Sequence, residues 1–385
     1  MEKGADLLER VLDQAREGSI TLDPIDPRRI VLYGAGNLGR EILARLRSSE
    51  LEPLAFADDT AAKQGTVIDA LPVLSPEDAV ARFGRGIFFA VTILNPALDF
   101  VAAQERLRQR TGQDGLSLFA LARMFPDSLL PYLQYDRVER ILAYTSEIRR
   151  ALNVLTDGES RRQFAAHLYF RITADYASLP AKSGPAYFPP DLIAPFPANV
   201  TFVDCGAYDG DTIRGFLAHQ GGQFGTIVAF EPDSQNYAAL TEYVRSLGAQ
   251  TSARIHLHRG AIGEHSGSIG FRGTGDMSAA VAPEGTDRVE VFALDDAVPH
   301  AHSPAYIKFD IEGFEMAALR GAVGLIASTH PTLAVSVYHR PADLWEIPLY
   351  LDDLGLGYHL YLRTEGFDGM DVVCYTLPSA RALPA

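Results

Sequence analysis

The sequence contains only two cysteines, Cys205 and Cys374, in 385 residues. Both lie in apolar stretches of the kind that form strands. Two separate thiols cannot build a disulfide framework, and they are too few to form a zinc site of cysteines alone. We therefore expect both thiols to be reduced and buried, as in a cytoplasmic protein.

Basic side chains are also scarce, because 34 Lys and Arg residues stand against 49 Asp and Glu residues. The formal net charge of −15 argues against binding along a nucleic-acid backbone, which requires clustered positive charge. The composition therefore favours a small-molecule or carbohydrate substrate and predicts no nucleic-acid partner.

Long apolar runs are absent as well. The stretch from Ile87 to Leu94 has the length of a strand, whereas a bilayer-spanning helix needs about 20 apolar residues. Near the start of the chain, Glu2 and Asp6 lie where a signal peptide has a basic and then an apolar region. We expect neither a signal peptide nor contact with a membrane.

One stretch combines a strand, a glycine loop and the start of a helix. The strand-like run from Thr201 to Val203 stops at Asp204, and two glycines then allow the chain to turn. In an open α/β sheet, ligands bind beyond the carboxyl ends of the strands, close to such loops. Asp204 and Asp209 would repel a phosphate, but they suit a ligand that bears an ammonium and a sulfonium group. Ligand contacts are predicted for seven residues: Asp204, Gly206, Ala207, Tyr208, Gly210, Asp211 and Thr212.

A second strand ends at an acid in the same way. The run 226–230 is followed by Glu231 and Pro232, at about the spacing where a doubly wound nucleotide site places an acid on the ribose hydroxyls. A carboxylate there can accept hydrogen bonds from both hydroxyls. An ordinary turn between strand and helix is the competing interpretation. After the next strand, the small apolar segment with Ala261 and Ile262 could lie against a nucleotide base.

Two further strand ends supply the candidate catalytic residues. Asp310 follows the run 306–309, and we expect it beside the ligand's ammonium group. His339 follows the run 332–337, and its unperturbed pKa of about 6.5 would leave much of it neutral near pH 7. We therefore predict His339 as general base and Asp310 as orienting group or alternate base. A histidine that only hydrogen-bonds its own loop is the alternative.

No metal site is predicted. Asp310 and Glu312 could hold a divalent ion against two substrate oxygens, but two carboxylates are too few ligands. In the glycine-rich segment 273–280, Met277 and Ser278 could contact the cofactor or simply form a loop.

The N-terminal part of the chain shows a nucleotide-type pattern of its own. A strand leads into Gly34-x-Gly36-x-x-Gly39 and a helix, and the next strand ends at Asp58-Asp59. The pattern predicts a small Rossmann-like domain over residues 1–115. Together with Gly65 and Leu71-Pro-Val73, it resembles the N-terminal domain of bacterial sugar O-acyltransferases, whose glycine loop binds part of a nucleotide-sugar. A nucleotide-sugar at the Gly34–Gly39 loop and a scaffold or dimerisation domain both remain open.

The rest of the chain divides into a helical stretch and a second α/β domain. Between residues 116 and 197 apolar residues recur at helical spacing, and the proline-rich stretch 183–190 then breaks regular structure. We predict a helical connector over 116–197 and an α/β domain over 198–385. Its last two strands, 358–362 and 371–377, should form an antiparallel edge.

Several of these segments together resemble the FkbM family of S-adenosylmethionine-dependent methyltransferases. The matching segments are Asp204 to Thr212, Glu231-Pro232, Gly260 to Gly263, Leu294-Asp295, Lys308 to Glu315 and Tyr338-His339, all within Ala198 to Pro378. The resemblance implies a seven-stranded Rossmann-like sheet, S-adenosylmethionine as cofactor, and O-methylation of a sugar, nucleotide-sugar, polysaccharide or polyketide-type hydroxyl.

Two other function classes compete with this one. The N-terminal glycine pattern could serve a nucleotide-sugar oxidoreductase, although no Tyr-x-x-x-Lys pair follows it at a useful place. The second alternative is a catalytically silent cofactor-binding or assembly module. The polar residues at the carboxyl ends of all the strands that lead to the predicted site argue against it. Assembly into a homo-oligomer is compatible with every one of these interpretations.

Overall fold

The computed structural model describes residues 4–22, 24–94, 99–272, 280–281, 287–298 and 303–381. The chain forms two compact units, each made of separate segments of sequence. The N-terminal unit consists of Met1–Ser146, Arg162–Ala181 and Gly366–Met370, and the C-terminal unit consists of Glu147–Arg161, Lys182–Glu365 and Asp371–Ala385. Both units combine helices with a largely parallel sheet, so the predicted α/β class is confirmed.

The N-terminal unit is built on a six-stranded sheet. Its strands are β1 (Ile30–Tyr33), β2 (Ala55–Ala57), β3 (Val67–Ile68), β4 (Leu71–Leu74), β5 (Phe88–Val91) and β6 (Gly115–Ser117), in the order β3-β4-β2-β1-β5-β6. All neighbours are parallel except β3 and β4. The accompanying helices are α1 (Gly4–Arg16), α2 (Asn37–Arg47), α3 (Pro76–Phe83), α4 (Phe100–Thr111), α5 (Leu118–Met124), α6 (Pro126–Leu129) and α7 (Val138–Ala143).

Both faces of this sheet are covered. Along β1, Ile30 and Leu32 belong to one apolar cluster and Val31 belongs to another, because successive side chains of a strand point to opposite faces. A strand that is buried on both faces has no polar side, which explains the continuous apolar run that marked it in the sequence.

The helical stretch that was predicted as a connector is divided between the two units. Strand β6 carries the N-terminal sheet across the predicted boundary at residue 115, and helices α8 (Thr145–Val154) and α9 (Gly158–Thr173) each belong partly to both units. Helical periodicity shows which face of a helix is buried, but not which core buries it. The division into 1–115, 116–197 and 198–385 stays a prediction.

The C-terminal unit contains eleven strands among its described residues. They are β7 (Thr201–Cys205), β8 (Thr226–Phe230), β9 (Ile255–His258), β10 (Ala261–Ile262), β11 (Gly267–Arg272), β12 (Ala280–Val281), β13 (Asp287–Phe292), β14 (Tyr306–Phe309), β15 (Thr332–Ser336), β16 (Tyr358–Thr364) and β17 (Val372–Pro378). The helices are α10 (Asp211–His219), α11 (Ser234–Ser246), α12 (Ala249–Ser252), α13 (Leu294–Ala297), α14 (Glu315–Arg320), α15 (Val323–Thr329) and α16 (Asp343–Asp353).

Seven of these strands form the predicted sheet, in the order β16-β17-β15-β14-β7-β8-β9. The strands from β15 to β9 are parallel, and β17 is antiparallel to both of its neighbours, as predicted for the edge. Strands β10 to β13 form a separate small sheet. Within the described residues, no helix has both the length and the apolar character needed to cross a membrane.

The strand order positions the candidate site. From the central β7 the chain moves outward through β8 and β9, and it later returns to the other side of β7 with β14 and β15. The loops that follow β7 and β14 therefore leave the sheet where the order reverses, which is where open α/β sheets bind ligands.

Candidate active site

The ends of three neighbouring strands are in register. The last residue of β7 pairs with the last residues of both β8 and β14. The residues that follow, Gly206, Glu231 and Asp310, therefore leave the sheet at one level. The main-chain N–H of Asp310 continues this register by donating to the carbonyl of Cys205 at 3.1 Å. Three of the predicted site residues are thus brought together at one edge.

Gly206 makes the tight turn after β7. Its φ is +87°, and a Cβ atom at this position would lie only 1.9 Å from the main-chain oxygen of Asp310. Only glycine can therefore bring the loop so close to the end of β14. The next residues follow this compact path, since Ala207 is fully buried and Tyr208 has a left-handed φ of +47°.

The loop ends at the start of α10. Gly210 precedes the helix, and Asp211 and Thr212 lie in its first turn, where the main-chain N–H of Thr212 donates to Oδ1 of Asp211 at 2.7 Å. Asp209 forms an ion pair with Arg214 at 2.6 Å. Asp209, which was expected to face the ligand, thus has a partner on the helix that follows the loop.

Lys308 lies beneath the loop and is almost completely buried. Its Nζ donates to the main-chain oxygen of Gly206 at 2.6 Å and lies 3.2 Å from Oδ1 of Asp204. Burial alone would lower the pKa of this lysine, but nearby carboxylates, Asp204 first among them, raise it above its ordinary value. A buried cation therefore connects the glycine loop with both β7 and β14.

Asp204 does not lie where the sequence predicted. It is fully buried and paired with Lys308, so it does not face a ligand at the edge of the sheet. Burial raises the pKa of its carboxyl to about 6, and Lys308 limits the rise. The cause is the register of β7 and β14, which sets Asp204 directly opposite Lys308. Asp204 therefore supports the glycine loop through Lys308, and its contact with a cofactor stays a prediction.

Glu231 is fixed between β8 and the glycine loop. Its Oε1 accepts from the main-chain N–H of Asp233 at 2.8 Å, and its Oε2 accepts from that of Tyr208 at 2.9 Å. Each carboxylate oxygen can accept a second hydrogen bond. Burial raises the pKa of this carboxyl to about 7. Glu231 therefore meets the main requirement of the predicted ribose site, a fixed carboxylate that can accept from two hydroxyls.

The other predicted cofactor residues lie beside Glu231 in the chain or in space. Pro232 follows it directly, and the main-chain N–H of Gly260 donates to the Glu231 carbonyl at 3.1 Å. This bond brings the start of β10, with the buried Ala261 and Ile262, next to Glu231. An apolar surface thus lies near the predicted ribose position.

Met277 and Ser278, the other two suggested cofactor contacts, lie outside the described residues.

Asp310 is oriented by two tyrosines. The hydroxyl of Tyr187 donates to Oδ2 at 2.6 Å, and that of Tyr338 donates to Oδ1 at 3.3 Å. Burial would raise the pKa of Asp310, but Lys308 and His339 bring it below its ordinary value. Asp310 is therefore an anion in a fixed orientation, and 24% of its side chain is exposed.

His339 lies after β15 among three carboxylates. Its Nδ1 is 2.8 Å from Oε1 of Glu315, and its Nε2 is 3.4 Å from Oδ1 of Asp310 and 3.5 Å from Oε2 of Glu312. We call Asp310, Glu312, Glu315 and His339 the His339 cluster. Burial would lower the pKa of the imidazole, but the carboxylates, Glu315 first, raise it to about 10.

This environment corrects the predicted role of His339. The neighbouring carboxylates favour the protonated imidazole, and a protonated imidazole cannot accept a further proton. The prediction of a neutral general base started from the unperturbed value, because the sequence does not show that Glu315 approaches the imidazole.

Three residues of the site had no predicted role: Lys308, Tyr187 and Glu315. A lysine inside an apolar parallel strand was an available indication, since a buried cation needs a carboxylate partner. No indication of a role for Tyr187 was available from the sequence, because this residue lies 123 positions from Asp310 along the chain. Glu315 lies in the first turn of α14, and its Oε1 accepts from the main-chain N–H of Ile311 at 2.8 Å.

The N-terminal glycine loop is explained in part by packing within its own unit. A Cβ on Gly39 would lie 1.9 Å from the main-chain oxygen of Gly34, so this position requires glycine for the approach of α2 to the loop. A Cβ on Gly36 would meet no atom within 4 Å. Local packing therefore accounts for Gly39 but leaves the choice of glycine at Gly36 unexplained.

The two acids after β2 already have partners within the N-terminal unit. Asp58 accepts from the main-chain N–H of Ala35 at 2.9 Å and pairs with Lys63 at 2.9 Å. Asp59 accepts from the hydroxyl of Tyr33 at 2.5 Å. A nucleotide-sugar at the Gly34–Gly39 loop stays a prediction.

Part of the chain matches a known family. Residues 204–360, which include Glu231, Asp310 and His339, match the family described as Methyltransferase FkbM domain. The crystal structure of Methyltransferase FkbM from Methylobacillus flagellatus KT has the same fold, with a TM-score of 0.78 and 24% identity over 97% of this chain and 100% of that chain.

Two other solved structures are similar only in part. A putative tRNA (m1A22) methyltransferase from Streptococcus pneumoniae is 12% identical over 51% of this chain and 69% of that chain, with a TM-score of 0.31. UDP-D-quinovosamine 4-dehydrogenase from Vibrio fischeri is 20% identical over 26% of this chain and 86% of that chain, with a TM-score of 0.20. No curated protein matches the sequence.

Proposed function

We propose that this protein is an S-adenosylmethionine-dependent O-methyltransferase, because residues 204–360 match the family described as Methyltransferase FkbM domain. Its acceptor would be a hydroxyl of a sugar, a nucleotide-sugar, a polysaccharide or a polyketide-type small molecule. The observation that carries the proposal is the shared level of Gly206, Glu231 and Asp310 at the ends of three registered strands.

The residues at this edge suit the proposed cofactor. Glu231 would accept from the two ribose hydroxyls, and the main chain of the loop 206–210 would lie against the methionyl part. The buried Ala261 and Ile262 would contact the adenine base. When bound, S-adenosylmethionine supplies a methyl group attached to a positively charged sulfur. The neutral thioether that remains, S-adenosylhomocysteine, is a good leaving group.

The protein's own contribution is chiefly the position of the acceptor oxygen. Holding two reacting groups in the correct geometry can contribute about 7–11 kcal/mol to a rate enhancement. Because the surrounding carboxylates favour the protonated form of His339, Asp310 replaces it in this proposal as the residue that orients and receives the hydroxyl hydrogen. Its carboxylate is kept in one orientation by Tyr187 and Tyr338.

Calorimetry and a transfer assay test this proposal. We expect the purified chain to bind S-adenosylmethionine and S-adenosylhomocysteine but not NAD. Radiolabelled methyl groups should appear on at least one member of a panel of sugars, nucleotide-sugars and polyketide alcohols. Binding of NAD without binding of either adenosyl ligand would favour the oxidoreductase alternative and contradict the proposal.

The affinity for S-adenosylhomocysteine should fall at acidic pH. Glu231 has a pKa of about 7 in the folded protein, so below pH 7 most molecules must lose a proton before this carboxylate can accept from the ribose. We expect a constant Kd above pH 7.5 and a loss of about tenfold per pH unit below pH 6.5. Titration calorimetry between pH 5.5 and 8.5 measures this dependence.

Glu231→Gln is the matched control for that measurement. An amide does not titrate, so the affinity of this variant should be weaker at high pH and nearly independent of pH. Equal slopes for the variant and the unaltered protein would show that another group controls the pH dependence.

A further inference from the structure

Tyr187 has a main-chain conformation that needs support from its surroundings. Its φ is +63°, in the left-handed region that residues other than glycine, asparagine and aspartate rarely adopt. Residues 181–190 form no helix or strand, so no repeating hydrogen bonds hold this part of the chain. Both main-chain groups of Tyr187 instead bind side chains. Its N–H donates to Oε2 of Glu365 at 2.8 Å, and its carbonyl accepts from the hydroxyl of Tyr306.

Glu365 is a buried acid directly after β16, with 2% of its surface exposed. Its main-chain N–H donates to the carbonyl of Asp371 at 2.7 Å, and its Oε1 accepts from the hydroxyl of Tyr375, so the side chain is itself held in place. Both carboxylate oxygens thus accept from uncharged donors, which compensate for lost hydration less than a cation would. An apolar side chain would cost less here, so function explains this polar acceptor better than stability does.

The side chain of Tyr187 ends at Asp310. Its hydroxyl donates to Oδ2 at 2.6 Å, and Nζ of Lys308 lies 5.0 Å from the centre of its ring. The hydroxyl of Tyr338 lies 3.3 Å from Oδ1, beyond the usual O–H···O range of about 2.5–3.0 Å. Tyr187 therefore makes the shorter of the two tyrosine bonds that orient Asp310.

We infer that Glu365 is a positioning residue for the reaction at Asp310. By holding the main-chain N–H of Tyr187, it sets where the Tyr187 hydroxyl lies, and that hydroxyl orients the Asp310 carboxylate. The inference rests on the proposed function, in which Asp310 orients and receives the hydroxyl hydrogen of the acceptor. Glu365 and Tyr187 both lie outside residues 204–360, so the family match assigns neither of them a role.

Two substitutions of Glu365 test whether the acceptor for the Tyr187 N–H matters. Glu365→Met keeps most of the side-chain volume but removes the carboxylate, whereas Glu365→Gln keeps an acceptor oxygen. Burial raises the pKa of the Glu365 carboxyl and so favours its uncharged form, which an amide resembles. With the panel member that accepts most radiolabel, Glu365→Met should lower kcat roughly 10- to 100-fold, with KM for S-adenosylmethionine within about threefold. Glu365→Gln should recover turnover to within about threefold of the unaltered chain.

The pH profile gives a readout that a purely structural role would not change. Asp310 must be deprotonated to receive a hydrogen, and the hydrogen bond from Tyr187 lowers its pKa. If that hydroxyl moves away, the pKa rises, so the acid limb of kcat/KM in Glu365→Met should move up by about 0.5 pH unit or more. Asp310 also faces Lys308, Tyr338 and the other members of the His339 cluster, and the substitution changes none of these.

A double-mutant cycle tests whether Glu365 acts through Tyr187. Tyr187→Phe removes only the hydroxyl and should lower kcat about as much as Glu365→Met does. The double variant should lose little more than either single variant, because both substitutions remove the same bond to Asp310. Losses that multiply would show that Glu365 acts by another route and would overturn the inference. Glu242→Met, an exposed substitution on α11, is the matched control and should turn over as the unaltered chain does.

Crystal structures of the variants need neither acceptor nor methyl donor. We expect the Tyr187 hydroxyl within about 3.2 Å of Asp310 Oδ2 in Glu365→Gln and beyond about 3.5 Å in Glu365→Met. If Glu365→Met does not fold, Glu365→Asp replaces it, because its shorter side chain withdraws the acceptor. An unchanged distance, or an unchanged kcat, overturns the inference. If the distance changes as expected but the unaltered chain methylates no member of the panel, only the proposed function fails.

Discussion

Lys308→Met is expected to destabilise the C-terminal unit by about 3–5 kcal/mol, the usual cost of leaving a buried charge without its partner. Lys308 is 2% exposed and lies 3.2 Å from Asp204, which is fully buried. The substitution preserves much of the side-chain volume but removes the cation, together with the donor to the Gly206 carbonyl. A loss of this size is a large part of the stability of an ordinary domain, about 5–15 kcal/mol.

Urea unfolding followed by tryptophan fluorescence measures this loss of stability in the C-terminal unit, which contains Lys308. Trp345 is the only tryptophan of the sequence, and it is buried in α16 of the C-terminal unit. Its emission therefore reports the unfolding of that unit, whatever happens to the rest of the chain.

Two further variants separate the buried pair from other causes. Asp204→Asn combined with Lys308→Met removes both charges and should regain roughly half of the lost stability or more, since the buried carboxylate is no longer unpaired. Lys182→Met removes an exposed lysine and should change the stability by less than about 0.5 kcal/mol. A loss below about 1 kcal/mol for Lys308→Met would contradict the role of this pair.

Glu231→Ala should weaken binding of S-adenosylhomocysteine by roughly 2–3 kcal/mol, or about 30- to 150-fold. The substitution removes the carboxylate that would accept from both ribose hydroxyls. It also frees the main-chain N–H groups of Tyr208 and Asp233, which this carboxylate now binds at 2.9 and 2.8 Å. The glycine loop would then lose one of the bonds that fix it before the ligand arrives.

Calorimetry with two ligands tests whether the loss comes from the ribose. The 2′-deoxy analogue of S-adenosylhomocysteine should bind the unaltered chain more weakly than the parent ligand, whereas Glu231→Ala should hardly distinguish the two. Glu242→Ala, an exposed substitution on α11, is the control and should bind both ligands normally. An affinity of Glu231→Ala within about threefold of the unaltered chain would exclude Glu231 from the ribose site.

The sequence was sufficient to predict which strand ends share the edge of the candidate site. The apolar runs before Glu231 and Asp310 end in acids, and parallel strands bring their carboxyl ends to one edge. The seven strands and their antiparallel edge could be predicted because buried strands have a distinct apolar pattern. These features depend on local sequence and on topology, both of which can be read from one chain.

The roles of single side chains depended on contacts that the sequence does not show. Asp204 was expected at the ligand, but the register places it opposite Lys308 and buries it. His339 was expected to be neutral, but Glu315 lies 2.8 Å from its Nδ1. Tyr187 orients Asp310 across 123 residues of sequence. In each case a tertiary neighbour decides the charge or the position of the group.

A crystal structure of the protein with S-adenosylhomocysteine tests the central claim most directly. We predict the ligand at the carboxyl ends of β7, β8 and β14, with both ribose hydroxyls within hydrogen-bonding distance of Glu231. Ligand bound at the Gly34–Gly39 loop instead, or a Glu231 carboxylate that still contacts only Tyr208 and Asp233, would contradict the account.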